Sequence, residues 1–201
     1  MPARKKLEDD EIIERSMRAF WSTGWSGTSI RDLEGALGLA APTIYRRVGS
    51  KDELFIAAVR CYIERIVEQR IAKYLPPDSG DPLGDLWAFC ASALVDGEQP
   101  RSQGCLLTLA ANEAPALSPA AQREVRCGIE RLRQATVDAV GRAAALGQLD
   151  TEDPEALGDH VAIAMQGLLV LSRGGVDRGE LERRATNALA EIRPEGAKLT
   201  L

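Results

Sequence analysis

Apolar residues recur along this chain at intervals of three and four, the spacing of a helix that buries one face. In the first such segment, about residues 9–22, the stripe consists of Ile13, Met17 and Phe20. The β-branched residues nowhere alternate with polar ones over a useful length, so no strand is predicted. We therefore predict an all-α fold of about nine helices.

Two short helices joined by a tight turn are predicted between Thr28 and Arg47. The first begins at Thr28, whose hydroxyl can cap free backbone donors. Gly38 ends it, because only glycine enters a left-handed turn without steric cost. The second covers residues 40–47 and has Pro42 in its first turn, where a missing N–H is harmless. The S-x-x-E sequence of residues 50–53 is a capping box and starts a third helix.

The outward side of the second short helix carries groups that suit nucleic acid. Its apolar residues pack inward, which leaves Thr43, Tyr45, Arg46 and Arg47 to project outward. This set of a hydroxyl, a phenol and two guanidiniums suits phosphates and guanine edges, which are acceptors, and the thymine methyl group. Lys51 lies at the start of the next helix, where ammonium and helix dipole together favour a phosphate. The alternative is a helical corner with incidental surface arginines.

Residues 12–59 resemble the DNA-binding domain of TetR-type transcriptional regulators. The motif residues that carry the resemblance are Phe20, Gly24, Gly27–Leu33, Gly38, Thr43–Tyr45 and Ser50–Phe55. The chain departs at three positions: Glu34 stands where such proteins usually carry alanine, Ala40 where a serine usually caps the recognition helix, and Val48 where an aromatic is usual. The resemblance implies a helix-turn-helix DNA-binding domain at residues 1–55 and a helical regulatory domain at residues 56–201.

DNA contacts are expected from the start of the first short helix and from the second, the recognition helix. The expected residues are Thr28, Ser29, Arg31, Ala41, Pro42, Thr43, Tyr45, Arg46, Arg47 and Lys51. One short recognition helix reads too few bases. Two of them on a two-fold axis read a palindrome, so double-stranded operator DNA and a homodimer are the expected partners.

The distribution of charge agrees with a DNA-binding front. The net charge of the chain is −5, which alone would argue against nucleic acid. Residues 1–60, however, hold 10 Lys and Arg against 9 Asp and Glu, whereas residues 61–201 hold 15 against 21. Arg4, Lys5 and Lys6 add a basic arm before the first helix. Positive potential is therefore concentrated in the first third of the chain.

The helix that begins at Lys51 has no breaker until Pro76. Its apolar stripe is too wide for one partner, so it must pack on both domains. About 23 residues at ~1.5 Å each make a rod of roughly 35 Å, a candidate lever. Later helices are predicted at residues 83–95, 105–112, 119–146, 153–172 and 177–192.

The segment Gly104–Glu113 looks like the middle of many TetR-type regulatory domains, where this helix lines an effector cavity. The resemblance implies a small hydrophobic effector, and apolar walls with a few polar groups suit such a ligand. The expected pocket residues are Trp87, Cys90, Leu94, Leu106, Leu109, Asn112, Met165 and Gln166. The alternative is that they simply fill a helical core. A redox-sensing role for Cys105 is a further hypothesis, although a free cysteine usually behaves as a small buried hydrophobe.

The last two predicted helices mix small and large apolar residues, which suits pairing with symmetry copies as a four-helix bundle. The resemblance implies the same two-fold dimer. The expected interface residues are Leu157, Val161, Leu168, Leu171, Leu181, Ala185 and Leu189.

Other function classes find little support. The four cysteines have no C-x-x-C spacing and there is one histidine, so neither a zinc site of that kind nor a cofactor is expected. A helical enzyme or ligand carrier is the alternative, but no G-x-S-x-G, Walker, H-E-x-x-H or dinucleotide motif appears. The apolar stretch 161–171 is too short to span a membrane, and no secretory signal precedes the charged start. We therefore expect a cytoplasmic, ligand-responsive repressor.

Overall fold

The computed structural model describes residues 8–94 and 103–197, and every regular element in these ranges is helical. Helix α4 runs without a break through three segments, Lys51–Tyr62, Ile63–Glu68 and Gln69–Tyr74. The other helices are α1 (Asp9–Gly27), α2 (Ile30–Leu37), α3 (Ala41–Val48), α5 (Pro82–Leu94), α6 (Leu106–Asn112), α7 (Pro119–Ala145), α8 (Pro154–Arg173) and α9 (Arg178–Ala188). Short 3₁₀ turns follow at Ala114–Ala116 and Ala190–Ile192. The predicted all-α fold of about nine helices is confirmed.

Helix α1 packs on α2 and α4 and forms the core of the N-terminal unit. The Phe20 ring meets Phe55 edge-on, with ring centroids 5.0 Å apart. Ile12 rather than Ile13 is fully buried in this core, so the predicted stripe was wrong at that position. Helix α1 also extends one turn beyond its predicted end. Gly24 adopts φ 79° and ψ 178°, which kinks the helix there, and the chain then resumes a helical turn to Gly27.

Helix α4 contains a π-helical segment, Ile63–Glu68, that the sequence did not predict. Residues before it, such as Phe55 and Val59, are buried against the N-terminal unit, and residues within and after it, such as Val67 and Ile71, are buried in the C-terminal unit. A π segment widens one turn, and such turns are frequent at functional sites. The lever helix therefore has the predicted extent, but it is not a uniform rod.

Helices α7 and α8 form the closest pair of the C-terminal unit. Their backbones approach at Gly158, where an added Cβ would lie only 2.5 Å from the Cα of Val137. Helix α9 packs against α8 on the other side. None of the helices within residues 8–94 and 103–197 has the length and apolar character needed to cross a membrane. The same ranges contain no group of three or more potential metal-binding side chains.

The residues predicted for a dimer interface instead fill the interior of the single chain. Six of the seven are buried without any partner: Leu157, Val161, Leu168, Leu181, Ala185 and Leu189. Leu171 is half-buried. Helices α7, α8 and α9 pack on one another and cover these faces within the single chain, and the sequence alone does not tell which helix covers which face. The outward face of α8 carries other apolar residues, among them Ile163, which is 72% exposed.

Candidate nucleic-acid interface and interior cavity

Helix α2 is fixed at both ends by local backbone chemistry. At its start, the Ser29 hydroxyl accepts from the Asp32 N–H at 3.2 Å, and the Asp32 carboxylate accepts from the Ser29 N–H at 2.7 Å. The Ser29 hydroxyl also donates to the Asp32 carboxylate at 2.6 Å, and this bond together with the one from the Ser29 N–H holds the pKa of Asp32 below its usual value. At its end, Gly38 is left-handed, with φ 64°, and its N–H donates to Glu34 O at 2.8 Å. The predicted turn at Gly38 is confirmed, but the cap is Ser29 rather than Thr28.

Thr28 has no access to DNA. Its side chain is fully buried, and its hydroxyl donates to the Gly24 carbonyl at 2.6 Å while lying 2.8 Å from the Thr23 hydroxyl. The prediction of a DNA contact at Thr28 was therefore wrong. Its hydroxyl instead holds the last turn of α1 closed after the kink.

Helix α3 presents one face to the outside and buries the other. Ile44 is fully buried, whereas Arg46 is exposed and Tyr45 keeps 40% of its surface. Pro42 is exposed at the first turn, and Thr43 is half-buried beside it. The exposed residues Ser29 and Arg31 of α2, and half-buried Ala41, lie near the same corner. The DNA contacts expected at these positions remain a prediction.

Two of the expected DNA-binding cations hold helices together. The Arg47 Nε donates to Asp9 Oδ1 at 2.7 Å, which ties α3 to the start of α1. The Lys51 Nζ donates to the Trp25 carbonyl at 2.7 Å and lies 4.2 Å from the centroid of the Trp25 ring. Burial lowers the pKa of Lys51 below its usual value. Both side chains are therefore already engaged in contacts within the protein. Sequence spacing does not predict these contacts.

The start of α3 is capped from another helix. Ala40, at the N-cap position, has no side chain able to accept a hydrogen bond. The carboxylate of Glu34, on α2, accepts from the Ala41 N–H at 2.7 Å instead. An acidic group is also favourable at the positive end of a helix. The two unusual residues at positions 34 and 40 therefore compensate each other: Glu34 supplies the acceptor that Ala40 lacks.

The C-terminal unit holds the end of α1 through Glu113, which follows α6. Its carboxylate accepts from the Trp25 N–H at 2.7 Å and from the Ser26 N–H at 3.1 Å. These are donors at the start of the turn that follows the Gly24 kink. A side chain at Gly24 would obstruct this contact, because an added Cβ would lie 2.7 Å from Glu113 Oε2.

Arg173, at the end of α8, holds the same region from the other side of the kink. Its guanidinium donates to the carbonyls of Trp21 at 3.1 Å and Ser22 at 2.6 Å. The Trp21 indole N–H in turn donates to the Gly104 carbonyl at 3.0 Å. We call Glu113 and Arg173 together the α1 clamp. It joins the two ends of the kink to α6 and α8.

An interior cavity adjoins the clamp. It is lined by Trp21, Tyr62, Ile66, Val67, Arg70, Phe89, Ala93, Gly104, Cys105, Leu132, Thr136, Ala162, Met165, Gln166 and Leu169. The volume open to the centre of a water-sized sphere is about 50 Å³. That is room for a few waters, whereas sites for drug-sized ligands enclose roughly 300–1,000 Å³.

Only Met165 and Gln166 of the predicted pocket residues line this cavity. The others do not: Trp87, Cys90, Leu94, Leu106, Leu109 and Asn112. On α5 the prediction chose the wrong face, because Phe89 and Ala93 face the cavity while Trp87, Cys90 and Leu94 are buried elsewhere. Burial raises the pKa of the Cys90 thiol to about 12. Asn112 is exposed and donates to Thr108 O at 3.0 Å.

Trp21 and Tyr62, which the sequence did not single out as wall residues, connect the cavity to the N-terminal unit. Their rings meet edge-on with centroids 5.0 Å apart. The Tyr62 hydroxyl is hydrogen-bonded by the Leu106 N–H and by the Cys105 side chain, and burial raises the Tyr62 pKa well above its usual value. Cys105 is itself buried, as expected of a small hydrophobe. The redox hypothesis for Cys105 gains no support from this position.

Two family models match this chain. The model described as bacterial regulatory proteins, tetR family, matches residues 12–58. The model described as tetracyclin repressor-like, C-terminal domain, matches residues 82–189.

Relatives and solved structures agree with these matches. The chain is 26% identical over 197 residues to the uncharacterized HTH-type transcriptional regulator YezE of Bacillus subtilis (strain 168), which covers 96% of this chain and 100% of the relative. It is 30% identical over 117 residues to the HTH-type transcriptional repressor ComR of Escherichia coli (strain K12), covering 57% and 53%. A solved structure of the TetR family regulator CifR, a cysteine mutant with a 26-base-pair operator, has a TM-score of 0.77 at 25% identity and covers 93% of this chain and 98% of that chain.

Loss of the Glu34 carboxylate should weaken the start of α3. We expect Glu34→Ala to lower the free energy of unfolding by about 1 kcal/mol, the usual loss for a missing cap. Ala40→Ser should recover much of this loss, since a serine at the cap accepts from the Thr43 N–H instead. Urea denaturation of the parent, both single variants and the double variant measures the effect. An equal gain from Ala40→Ser with and without Glu34 would show that the two residues do not compensate each other.

Proposed function

The chain belongs to the TetR family of bacterial regulatory proteins, and on that premise we propose that it is a ligand-responsive repressor. The family consists of DNA-binding transcriptional regulators rather than enzymes. In this proposal a homodimer binds a palindromic operator in the cytoplasm, and a small-molecule effector releases it. The observation that carries the proposal is the α2–α3 corner, which presents Tyr45 and Arg46 to the outside on a helix held by three neighbours.

The rigidity of α3 supports its role as a recognition helix. It is capped by Glu34, tied to α1 by the Arg47–Asp9 ion pair, and packed on the core through Ile44. A recognition helix held in this way pays little conformational entropy when it docks in a major groove. The related regulator CifR has been solved with double-stranded operator DNA, and we propose the same class of partner for this chain.

A stripe along α8 supports a dimer. Ala156, His160, Ile163, Gly167 and Val170 are all exposed and follow one another at intervals of four, three, four and three residues. This spacing places them on one side of the helix, as in a coiled-coil seam, and none of them is acidic or a lysine or arginine. An added Cβ on Gly167 would meet nothing within 4 Å. We propose that this α8 stripe pairs with its copy in a second chain, in place of the buried residues predicted from sequence.

The cavity and the clamp support a coupling mechanism. A ligand larger than a few waters can enter only if the walls move, and Trp21 and Tyr62 are walls that belong to α1 and α4. Displacement of Trp21 and Tyr62 would strain the α1 clamp and rotate the N-terminal unit relative to the C-terminal unit. In a dimer this changes the distance between two recognition helices, which must match a helical turn of DNA, ~34–36 Å or a multiple.

We propose residues 1–55 as the DNA-binding domain and 56–201 as the regulatory domain, with α4 shared between them.

Removal of the exposed α3 side chains should weaken operator binding without unfolding the protein. We expect Tyr45→Ala and Arg46→Ala each to cost about 1–3 kcal/mol of specific binding, the usual range for a base-edge contact. Arg126→Ala, which removes an exposed arginine of α7, is the matched control and should leave affinity unchanged. Fluorescence anisotropy with operator DNA, at fixed salt, measures the effect. Parent-like isotherms for both α3 variants would refute the assignment of this surface.

Charge on the α8 stripe should separate the dimer while leaving the fold intact. Ile163→Glu and Val170→Glu place a carboxylate at an exposed position of the single chain, so they should yield folded monomers with much reduced operator affinity. Leu146→Glu, at another exposed apolar position, is the control and should remain dimeric. Leu168→Glu should unfold the chain instead, because Leu168 is buried within it. Sedimentation together with thermal unfolding distinguishes these cases, and a dimeric Ile163→Glu variant would place the interface elsewhere.

Weakening the α1 clamp should reduce operator affinity from a distance. Glu113→Gln removes the charge from two hydrogen bonds to the Trp25 and Ser26 amides, so these amides should exchange faster with solvent and the N-terminal unit should be less well oriented. Glu152→Gln, an exposed position with no role in the clamp, is the control. Hydrogen exchange and operator anisotropy measure the two effects. Faster exchange with unchanged affinity would show that the clamp does not orient the recognition helix.

A further inference from the structure

The cavity wall is apolar except at a few positions. Some of the polar groups there already form hydrogen bonds within the protein, and others still have free donors. Thr136 is occupied, since its hydroxyl lies 2.7 Å from the Arg133 carbonyl and 3.0 Å from the Gly158 carbonyl. The Tyr62 hydroxyl is hydrogen-bonded by the Leu106 N–H and by Cys105. Both are therefore committed to the protein. A ligand would find its polar partners elsewhere on the wall.

Gln166 and Arg70 are the wall residues that retain hydrogen-bond donors. The Gln166 side-chain oxygen accepts from the Thr108 hydroxyl, which leaves its NH₂ group as a donor. Arg70 lies just after the π segment of α4 and is half-buried. Its side chain is part of the cavity lining, together with Tyr62 and Ile66 of the same helix. Both groups donate, and a guanidinium has no acceptor.

Arg70 differs from the other arginines of α4. Arg65 binds Glu14 at 2.5 Å, and Arg60 forms an ion pair with Glu124, both on the outside of the helix. Within residues 8–94 and 103–197, Arg70 forms no ion pair with a carboxylate, and no acidic side chain lines the cavity. The described wall therefore combines an apolar surface with one positive charge and no negative one.

We propose that the cavity selects an amphiphile with a carboxylate head and an apolar body. The inference rests on the proposed function, in that this cavity is taken as the effector site. A guanidinium binds a carboxylate through two parallel N–H donors, and the Gln166 NH₂ group provides another donor. The apolar body packs against the aromatic and aliphatic wall, including Trp21, Phe89 and Met165. A cationic ligand meets like charge and no acidic partner on the described wall.

The position of Arg70 also connects anion binding to α4. A ligand that enters a cavity of about 50 Å³ must displace wall residues. An anion fixed on Arg70 is held directly against α4, beside the π segment that includes Ile66 and Val67 of the same wall. The carboxylate therefore fixes the ligand on the helix that reaches the N-terminal unit at Leu54 and Phe55.

Matched ligand pairs test the proposal on the full-length protein. The probes are 2-naphthoate and octanoate, their neutral amides, and the corresponding amines, with binding measured by calorimetry. We expect at least one acid to bind about tenfold or more tightly than its amide and its amine, the least expected of a hydrogen bond to a charged group. Arg70→Gln should abolish the preference for the acid, because it weakens binding of the acid more than binding of the amide. Arg70→Lys should retain part of it, and Arg126→Gln, on the exposed face of α7, should retain all of it.

The outcomes separate this inference from the proposed function. No acid binding more tightly than its amide, or an acid preference that survives Arg70→Gln, overturns the anionic class. Operator anisotropy with the same probes tests the effector role independently. An Arg70-dependent acid that binds equally well with and without operator would support the anionic class and refute its role in release. Release of the operator by amides and amines as readily as by acids would support the role of the cavity in release and refute the anionic class.

Discussion

The junction between the two units depends on how α1 ends. Gly24 breaks the helix and exposes backbone carbonyls on one side of the kink and backbone N–H groups on the other. Arg173 binds the carbonyls of Trp21 and Ser22, while Glu113 binds the N–H groups that follow. Each charge meets the helix end whose dipole it complements. A straight helix at this point would offer neither set of groups, so the kink is what makes the junction possible.

This junction connects the cavity to the N-terminal unit. The Trp21 ring lines the cavity while its main-chain carbonyl is held by Arg173, and its indole N–H binds Gly104. Lys51, at the start of α4, binds the Trp25 carbonyl on the other side of the kink. Hydrogen bonds therefore connect the cavity wall to the N-terminal unit, in addition to the α4 helix that the sequence suggested as the lever.

Local sequence signals predicted local structure well, and residue roles that depend on distant partners were missed. The Gly38 turn, the capping box at Ser50 and the helix-stopping prolines gave the helix order, because each acts through its own neighbourhood. The contacts of Arg47, Lys51 and Glu34 join residues far apart along the chain or on different helices, so spacing does not reveal them. Most residues predicted for the pocket and the dimer lie elsewhere for a related reason: helix periodicity finds an apolar face but not the helix that covers it.

The hydrogen bonds of the α1 clamp are strong enough for the coupling between cavity and operator binding proposed above. A hundredfold loss of operator affinity requires about 2.7 kcal/mol of difference between the two conformations. The clamp contains four hydrogen bonds from charged groups to the α1 backbone, two at Glu113 and two at Arg173. Such bonds contribute about 1.5–3 kcal/mol each, and half-exposed groups fall toward the lower end. In the proposed mechanism, loss of two of them would match this difference without the unfolding of any helix.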